Sequence, residues 1–574
     1  MKDLDMDVKK FFSEVPNFVL AATALFTLAG LVFGYVIDPV VNPSNIRSLL
    51  SGLAGAQATV LAIVFSVTVI GIQLTGNRYS PRMVSLFTDS PIFLYTFSLF
   101  VFSIGLDFWL LYNIPATGNQ IHTAGVFAVS GLGLAVSITL FAFVKSAIQQ
   151  STPEGAIEAF VSGMTTEEYV SQSESLALDD SENVHPMHPL YNLIMNALSN
   201  GEHVTADRGI QEYSSLTQKT LEDLEAEDEF SKLDRKVVKE LFNPVLTEQL
   251  RDIALHAEEH DETQLVGDTI ETQYELGSSG LGLSTNTVSR QAVYGISYVI
   301  RGSPVNSGSL IANNKAWKEL GNLLIDAAEN PEPKIVWNTS SSIDQNVQRQ
   351  LWKVSDIRWY QSAMTDLYRS MDTAHEALLD HYGEEVADVD MEWRYEHVPD
   401  DFPNRTEVSA VYKWRNALLD TTTQFLRYVD QEGQYPITEG NFKDHWKNIC
   451  VEASKSPAED YAITLCQALI EIAMIDRSQL GETSIPWSST IGRVKHEGDS
   501  RIVDKAFNRI LDYDYVEEEP GPVFVGEMEE HRQRYYQNQL NIQELRPLNN
   551  RPDFPKKIVE IQKEADERWN RLKE

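Results

Sequence analysis

Four stretches within the first 150 residues are each apolar over the roughly 20 residues that a helix needs to cross a bilayer. They run approximately over 17–38, 53–76, 91–112 and 124–148. A soluble core does not absorb four such segments in succession, so the chain is expected to be a multi-pass protein of the cell membrane. The first stretch is not read as a cleaved leader, because its apolar core is too long and a second span follows directly. Lys and Arg in the short flanks set the orientation. Lys2, Lys9 and Lys10 precede the first span, Arg78 and Arg82 follow the second, and Lys145 ends the fourth, whereas the opposite side holds only Arg47. Both termini are therefore expected in the cytoplasm, with residues 78–82 held against anionic headgroups.

After Lys145 the character changes. The chain carries 83 acids against 47 bases, yet residues 1–150 hold seven of each, so 76 acids and 40 bases fall in 151–574. The expected domains are thus a transmembrane region over 1–150 and an acidic cytoplasmic domain over 151–574. Such a surface repels phosphate backbones, so nucleic acid is not an expected partner. Acids scattered over hundreds of residues fit a domain adapted to multimolar salt, as in a halophilic archaeon, better than one acidic docking tail. Cys450 and Cys466, the only cysteines, read as buried thiols and not as a disulfide framework.

Amphipathic helical patterns run through the second region, around 205–225, 244–276, 316–329, 346–382, 408–430, 458–475 and 555–573. Strand signals are few and short, "KIVW" and "PVFVG" being the clearest. No regular repeat period is evident. The expected fold class is mainly α: four transmembrane helices, then a large helical domain with few short strands.

The second span carries the most informative pattern. At about 100° per residue, Gly52, Gly55, Thr59, Ser66 and Gln73 fall along one stripe. Small residues let helices approach closely and hydroxyls bond across interfaces, so the stripe reads as a helix seam or as the lining of a pore built from several copies. "SGLAGAQATVLAIVFSVTVIGIQLTGNRYSPRM" resembles the predicted membrane proteins known as domain of unknown function 2254. The resemblance rests on Gly52, Gly55 and Ala56, the run Val64 to Thr68, Gln73 and Leu74, and the loop residues Ser80, Pro81 and Arg82. It covers roughly residues 50–150 and implies an architecture without implying an activity.

Asp107 is an acid within the third span, near its outer end and beside Trp109. Intramembrane acids often mark an ion or proton path, although this one is also placed to bond a neighbouring helix or reach the interface. "HAEEH", His256 to His260, has the spacing of an inverted zinc-peptidase motif, but an apolar stripe beside it and acids around it favour a solvated helix. "HEALLDH" lacks the spacing, "HPMHP" reads as a turn, and "GSSGLGLS" is no nucleotide loop. No catalytic residue, metal or cofactor is expected. The function expected is a channel-like or transport-related homo-oligomer handling ions, with a cytoplasmic vestibule or regulatory domain. The rival is a membrane-anchored scaffold or sensor whose helical domain binds partners.

Overall fold

The structure is a computed structural model that describes residues 17–36, 42–78, 91–114, 123–178, 184–226, 230, 232–283, 286–303, 311–350, 360–387, 406–432, 439–475, 487–511 and 554–573. The chain divides into two compact units, one of residues 1–169 and 186–216 and one of residues 170–185 and 217–574. Every regular element among the described residues is a helix.

The first unit begins with helices Asn17–Val36 (α1), Pro43–Arg78 (α2), Pro91–Asn113 (α3) and Thr123–Ser151 (α4). Three of them contain stretches long and apolar enough to cross a membrane, Val19–Val36, Pro43–Ser66 and Leu94–Asn113. In α4 the apolar stretch, Ala124–Leu140, is shorter. Leu25, Leu28, Phe102, Phe108 and Tyr112 stand exposed on these helices, an apolar surface of the kind that bilayer lipid covers. Helix α2 starts ten residues before the apolar run at 53. Asn42 accepts from the Ser44 backbone N–H at 3.0 Å, and Pro43 occupies the first turn, where its missing N–H costs nothing.

Helices α1 and α4 meet backbone to backbone. A Cβ on Gly30 would run into the Phe127 carbonyl, and one on Gly131 into the Phe26 carbonyl, so only glycine fits at either crossing. At one end of the bundle Ile46 and Leu50 of α2 pack with Leu110 and Ile114 of α3 and Val126 and Val129 of α4. Toward the other end Phe65 lies against Phe97, ring centroids 6.4 Å apart. Helix α3 is therefore antiparallel to α2, and Leu53 and Gln57 of α2 against Gly133 show that α4 runs parallel to it. The unit continues through Pro153–Gly163 (α5), Thr166–Leu178 (α6), His188–Ser199 (α7) and His203–Ala226 (α8), of which α6 and α8 pass into the second unit.

The second unit contains Arg235–Asn243 (α9), a π-helical turn at Pro244–Gln249, Leu250–Glu259 (α10), Thr263–Ser279 (α11), Thr287–Gly302 (α12), Ile311–Glu329 (α13) and Pro333–Gln350 (α14). It goes on with Tyr360–Ala387 (α15), Thr406–Glu432 (α16), Glu439–Lys455 (α17), Glu459–Ile475 (α18), Trp487–Glu497 (α19), Ser500–Leu511 (α20) and Phe554–Lys573 (α21). From α11 onward each helix packs against the helix two places on, and most also pack against their neighbour, α14 with α15 and α16 with α17 being the exceptions among the described residues. The odd-numbered helices form one layer and the even-numbered a second. Trp317, Trp414, Trp446 and Phe507 are fully buried in this unit.

The short strands expected from sequence are not found among the described residues. "KIVW" forms the first turns of α14, where Ile335 and Val336 are fully buried by neighbouring helices. A β-branched apolar run reads as a strand in isolation, and tertiary burial overrides that propensity. "PVFVG" lies outside the described residues. A repeating turn is also present. Glu202, Glu262 and Glu332 each donate their N–H to an alanine carbonyl five residues back, at Ala197, Ala257 and Ala327, over 2.8–2.9 Å. Gly201 and Asp261, the residues before the first two glutamates, take the left-handed φ values of 70° and 60° that such a helix end requires.

Candidate functional site

The α2 stripe points out of its own bundle. Gly52, Gly55, Thr59 and Ser66 are exposed, and a Cβ on either glycine would meet nothing within 4 Å. The hydroxyls of Thr59 and Ser66 donate to the carbonyls of Gly55 and Ala62, each at 2.8 Å. They are thus satisfied on their own helix and, among the described residues, make no bond to another. Intra-bundle packing uses the opposite face instead, through Ile46, Leu50, Ala54 and Gln57. The side chains of Gln73 and Arg78 are not among those described, and Ser80, Pro81 and Arg82 lie outside the described residues.

Behind that packing face is a layer of polar groups. On α3 the residues Thr96, Phe100, Ser103, Asp107 and Leu110, three or four apart, are all buried, as is Ile114 just past its end, which is the stripe of one helical face. The register set by Leu50 with Leu110 and Phe65 with Phe97 puts Ser103 level with Gln57, and Asp107 one turn away, level with Leu53 and Ala54. Gly133 of α4 makes room for the Gln57 amide, since a Cβ there would lie 2.8 Å from Nε2. Asp107 and Ser103 are 0% exposed and Gln57 6%. Among the described residues both Asp107 oxygens, both Gln57 amide atoms and the Ser103 and Ser130 hydroxyls lack a hydrogen-bond partner. Asp107 therefore faces the bundle interior and does not reach for the interface beside Trp109, which is itself exposed. Sequence placed Asp107 in the span; the polar company it keeps comes from two other helices and leaves no local signal.

In the second unit, His256 bonds Glu259 at 3.2 Å, and the His256 and His260 rings meet edge to face with centroids 4.6 Å apart. No group of three potential metal ligands occurs among the described residues. Glu258, which reads from sequence as one of several solvated acids, is buried. It accepts from the Ser303 hydroxyl at 2.8 Å and the Ala312 N–H at 3.2 Å, tying the end of α12 to the start of α13. Burial pushes its carboxyl above the usual range despite those two bonds. Cys450 and Cys466 are free and buried, and burial raises the Cys450 thiol well above its ordinary value.

Residues 13–188 match a family described as "Predicted membrane protein (DUF2254)". The match takes in all four apolar helices and extends on both sides of the stretch that carries the sequence resemblance. No curated protein matches the chain. Among solved structures, a "Circular tandem repeat protein with novel repeat topology and enhanced subunit contact surfaces" aligns with 96% of this chain and 97% of its own at 12% identity, with a TM-score of 0.20. A score that low says nothing about the fold.

Proposed function

We propose that this membrane protein is a channel-like, ion-conducting homo-oligomer in which the α2 stripes of several copies line a common axis. The observation that carries the reading is the outward face of Gly52, Gly55, Thr59 and Ser66, open beside both glycines and unused by the bundle. A small, hydroxyl-bearing face is wasted on lipid, and it suits either close contact with a second copy or a wettable wall. Four spans are proposed, α4 completing its crossing with Phe141, Ala142, Phe143 and Val144, and both termini are assigned to the cytoplasm. The acidic helical unit then forms a vestibule or regulatory platform, its charge suited to high salt.

Asp107 gives the conduit a preference for cations. It sits behind the α2 wall, about one interhelix distance of 8–10 Å from the stripe. At about 10 Å and an effective dielectric of about 20, one charge attracts another by roughly 1.7 kcal/mol, worth on the order of tenfold in cation occupancy. In proteoliposomes, K+ flux should exceed Cl− flux, and Asp107→Asn should reduce that preference several-fold while the oligomer persists. A preference indifferent to Asp107→Asn would contradict this role.

The two-layered helix stack favours a second reading, since stacked helix pairs offer extended surfaces for partners. In that reading the spans only anchor a scaffold or sensor, and no ion flux is expected. A zinc hydrolase built on His256 and His260 is not proposed, because Glu259 is taken up by His256 on an exposed helix end.

A further inference from the structure

Within the acidic helical unit, positive charge gathers around a cavity. The cavity, of about 580 Å3, is lined by Arg235, Arg290 and Lys334 together with Phe230 and Trp337. No aspartate or glutamate is among its lining residues. In a region with 76 acids for 40 bases, ion-pair partners are abundant, yet none of these three cations is paired among the described residues. The Nε of Arg290 is buried with no hydrogen-bond partner among the described residues. Two carboxylates close in sequence to these cations are engaged with other groups. Asp234 caps α9 by accepting the Lys236 N–H at 2.8 Å. Glu332 accepts from the Gly282 N–H at 3.2 Å and the Asn286 amide at 2.9 Å.

The backbone adds to this. Arg235 is the first residue of α9, Arg290 the fourth of α12, Lys334 the second of α14, and the lining residue Ser409 the fourth of α16. Four helices thus present their first turns to one cavity. Asn286, at the cap of α12, makes no capping bond of its own. First-turn N–H groups have no partner within the helix, and the helix dipole places partial positive charge there, so each terminus favours an anion. Acids already stand at three of these termini, Asp234 at α9, Glu332 at α14 and Glu407 at α16, so it is the three unpaired cations that suit the cavity to multiple negative charge.

We propose that this cavity binds a nucleoside phosphate. Its di- or monophosphate would sit among Arg235, Arg290 and Lys334, and its flat base against Trp337, which is 42% exposed and one turn from Lys334 on the same face of α14. The volume falls in the range of small-molecule pockets, and the aromatic wall accounts for a ring beside the charge. The assignment is independent of whether the membrane unit conducts.

The test is calorimetric titration of the full-length protein in detergent with ADP, adenosine and pyrophosphate. ADP should bind, adenosine should bind at least tenfold more weakly, and rising KCl should weaken ADP. The Arg290→Gln/Lys334→Gln double variant should lose at least tenfold in ADP affinity with an unchanged melting temperature. Trp337→Ala should weaken ADP and leave pyrophosphate unaltered. The proposal is overturned if ADP gives no binding to folded wild-type protein, or if the double variant binds ADP as well as wild type. It is equally overturned if adenosine binds as tightly as ADP.

Discussion

Leucine in place of Gly131 abolishes the packing of α1 on α4, and with it the folded amino-terminal bundle. The obstacle is backbone, since any Cβ at Gly131 falls on the Phe26 carbonyl and lies 3.6 Å from the Gly30 Cα. Overpacking against side chains typically costs about 1–3 kcal/mol, because rotamers shift to make room. A carbonyl in an α-helix cannot turn aside, so the two helices must separate along their length, and the loss should exceed about 3 kcal/mol on that scale. The expected result is a purified variant that aggregates, or melts far below wild type, in the detergent that keeps wild type monodisperse. Gly125→Ala is the control, because its new Cβ would meet only Leu110 Cδ2 at an ordinary 3.8 Å. A Gly131→Leu protein that melts with wild type would contradict the close crossing.

The corresponding position in the second unit is Gly295. The π-helical turn at Pro244–Gln249 has Leu250 donating to Val245, one residue farther back than in an α-helix. The Leu246 carbonyl instead accepts from the Gln273 amide at 2.6 Å. Gly295 packs directly on that carbonyl, and a Cβ would also come within 2.8 Å of Gln273 Nε2. Gly295→Leu therefore displaces the carbonyl and leaves the buried Gln273 amide without its acceptor. Overpacking and one lost buried bond together should cost more than about 3 kcal/mol. Thermal unfolding followed by circular dichroism measures it, and an unchanged transition would show that the two helices have room the structure does not give them.

Helix content was legible where periodicity was strong. The apolar runs at 17–38 and 91–112 correspond closely to α1 and α3, and 205–225 to α8. The start of α2 was not, because Ser44, Asn45, Arg47 and Ser48 are polar although the helix runs on through them. Burial of Glu258 was hidden for a similar reason. Its partners Ser303 and Ala312 are 45 and 54 residues away, and a local window shows only an acid among acids. The turn repeated at Glu202, Glu262 and Glu332 eluded a search for sequence period because it fixes only an alanine and a glutamate five apart.

Site geometry divides in the same way. The stripe from Gly52 to Ser66 lies on one helix, so its existence could be read from spacing alone. Which way it faced could not, since that depends on where α3 and α4 pack. Conversely, the residues around Asp107 come from α2, α3 and α4, and the three cations of the second-unit cavity from α9, α12 and α14. Each is ordinary in its own segment, and only the tertiary arrangement leaves them together and unpaired.

Whether the outward face of α2 lines a water-filled passage is tested most directly by ion flux through proteoliposomes bearing wild type or Ser66→Leu. Leucine removes the hydroxyl and narrows the wall with apolar volume, and hydrophobic constrictions close by dewetting. The account predicts that wild type conducts cations, and that Ser66→Leu assembles to the same oligomer by cross-linking yet loses flux at least tenfold. Wild type that never conducts, beside a Ser66→Leu protein whose oligomer falls apart, would contradict it and leave the stripe as a packing seam of an anchored scaffold.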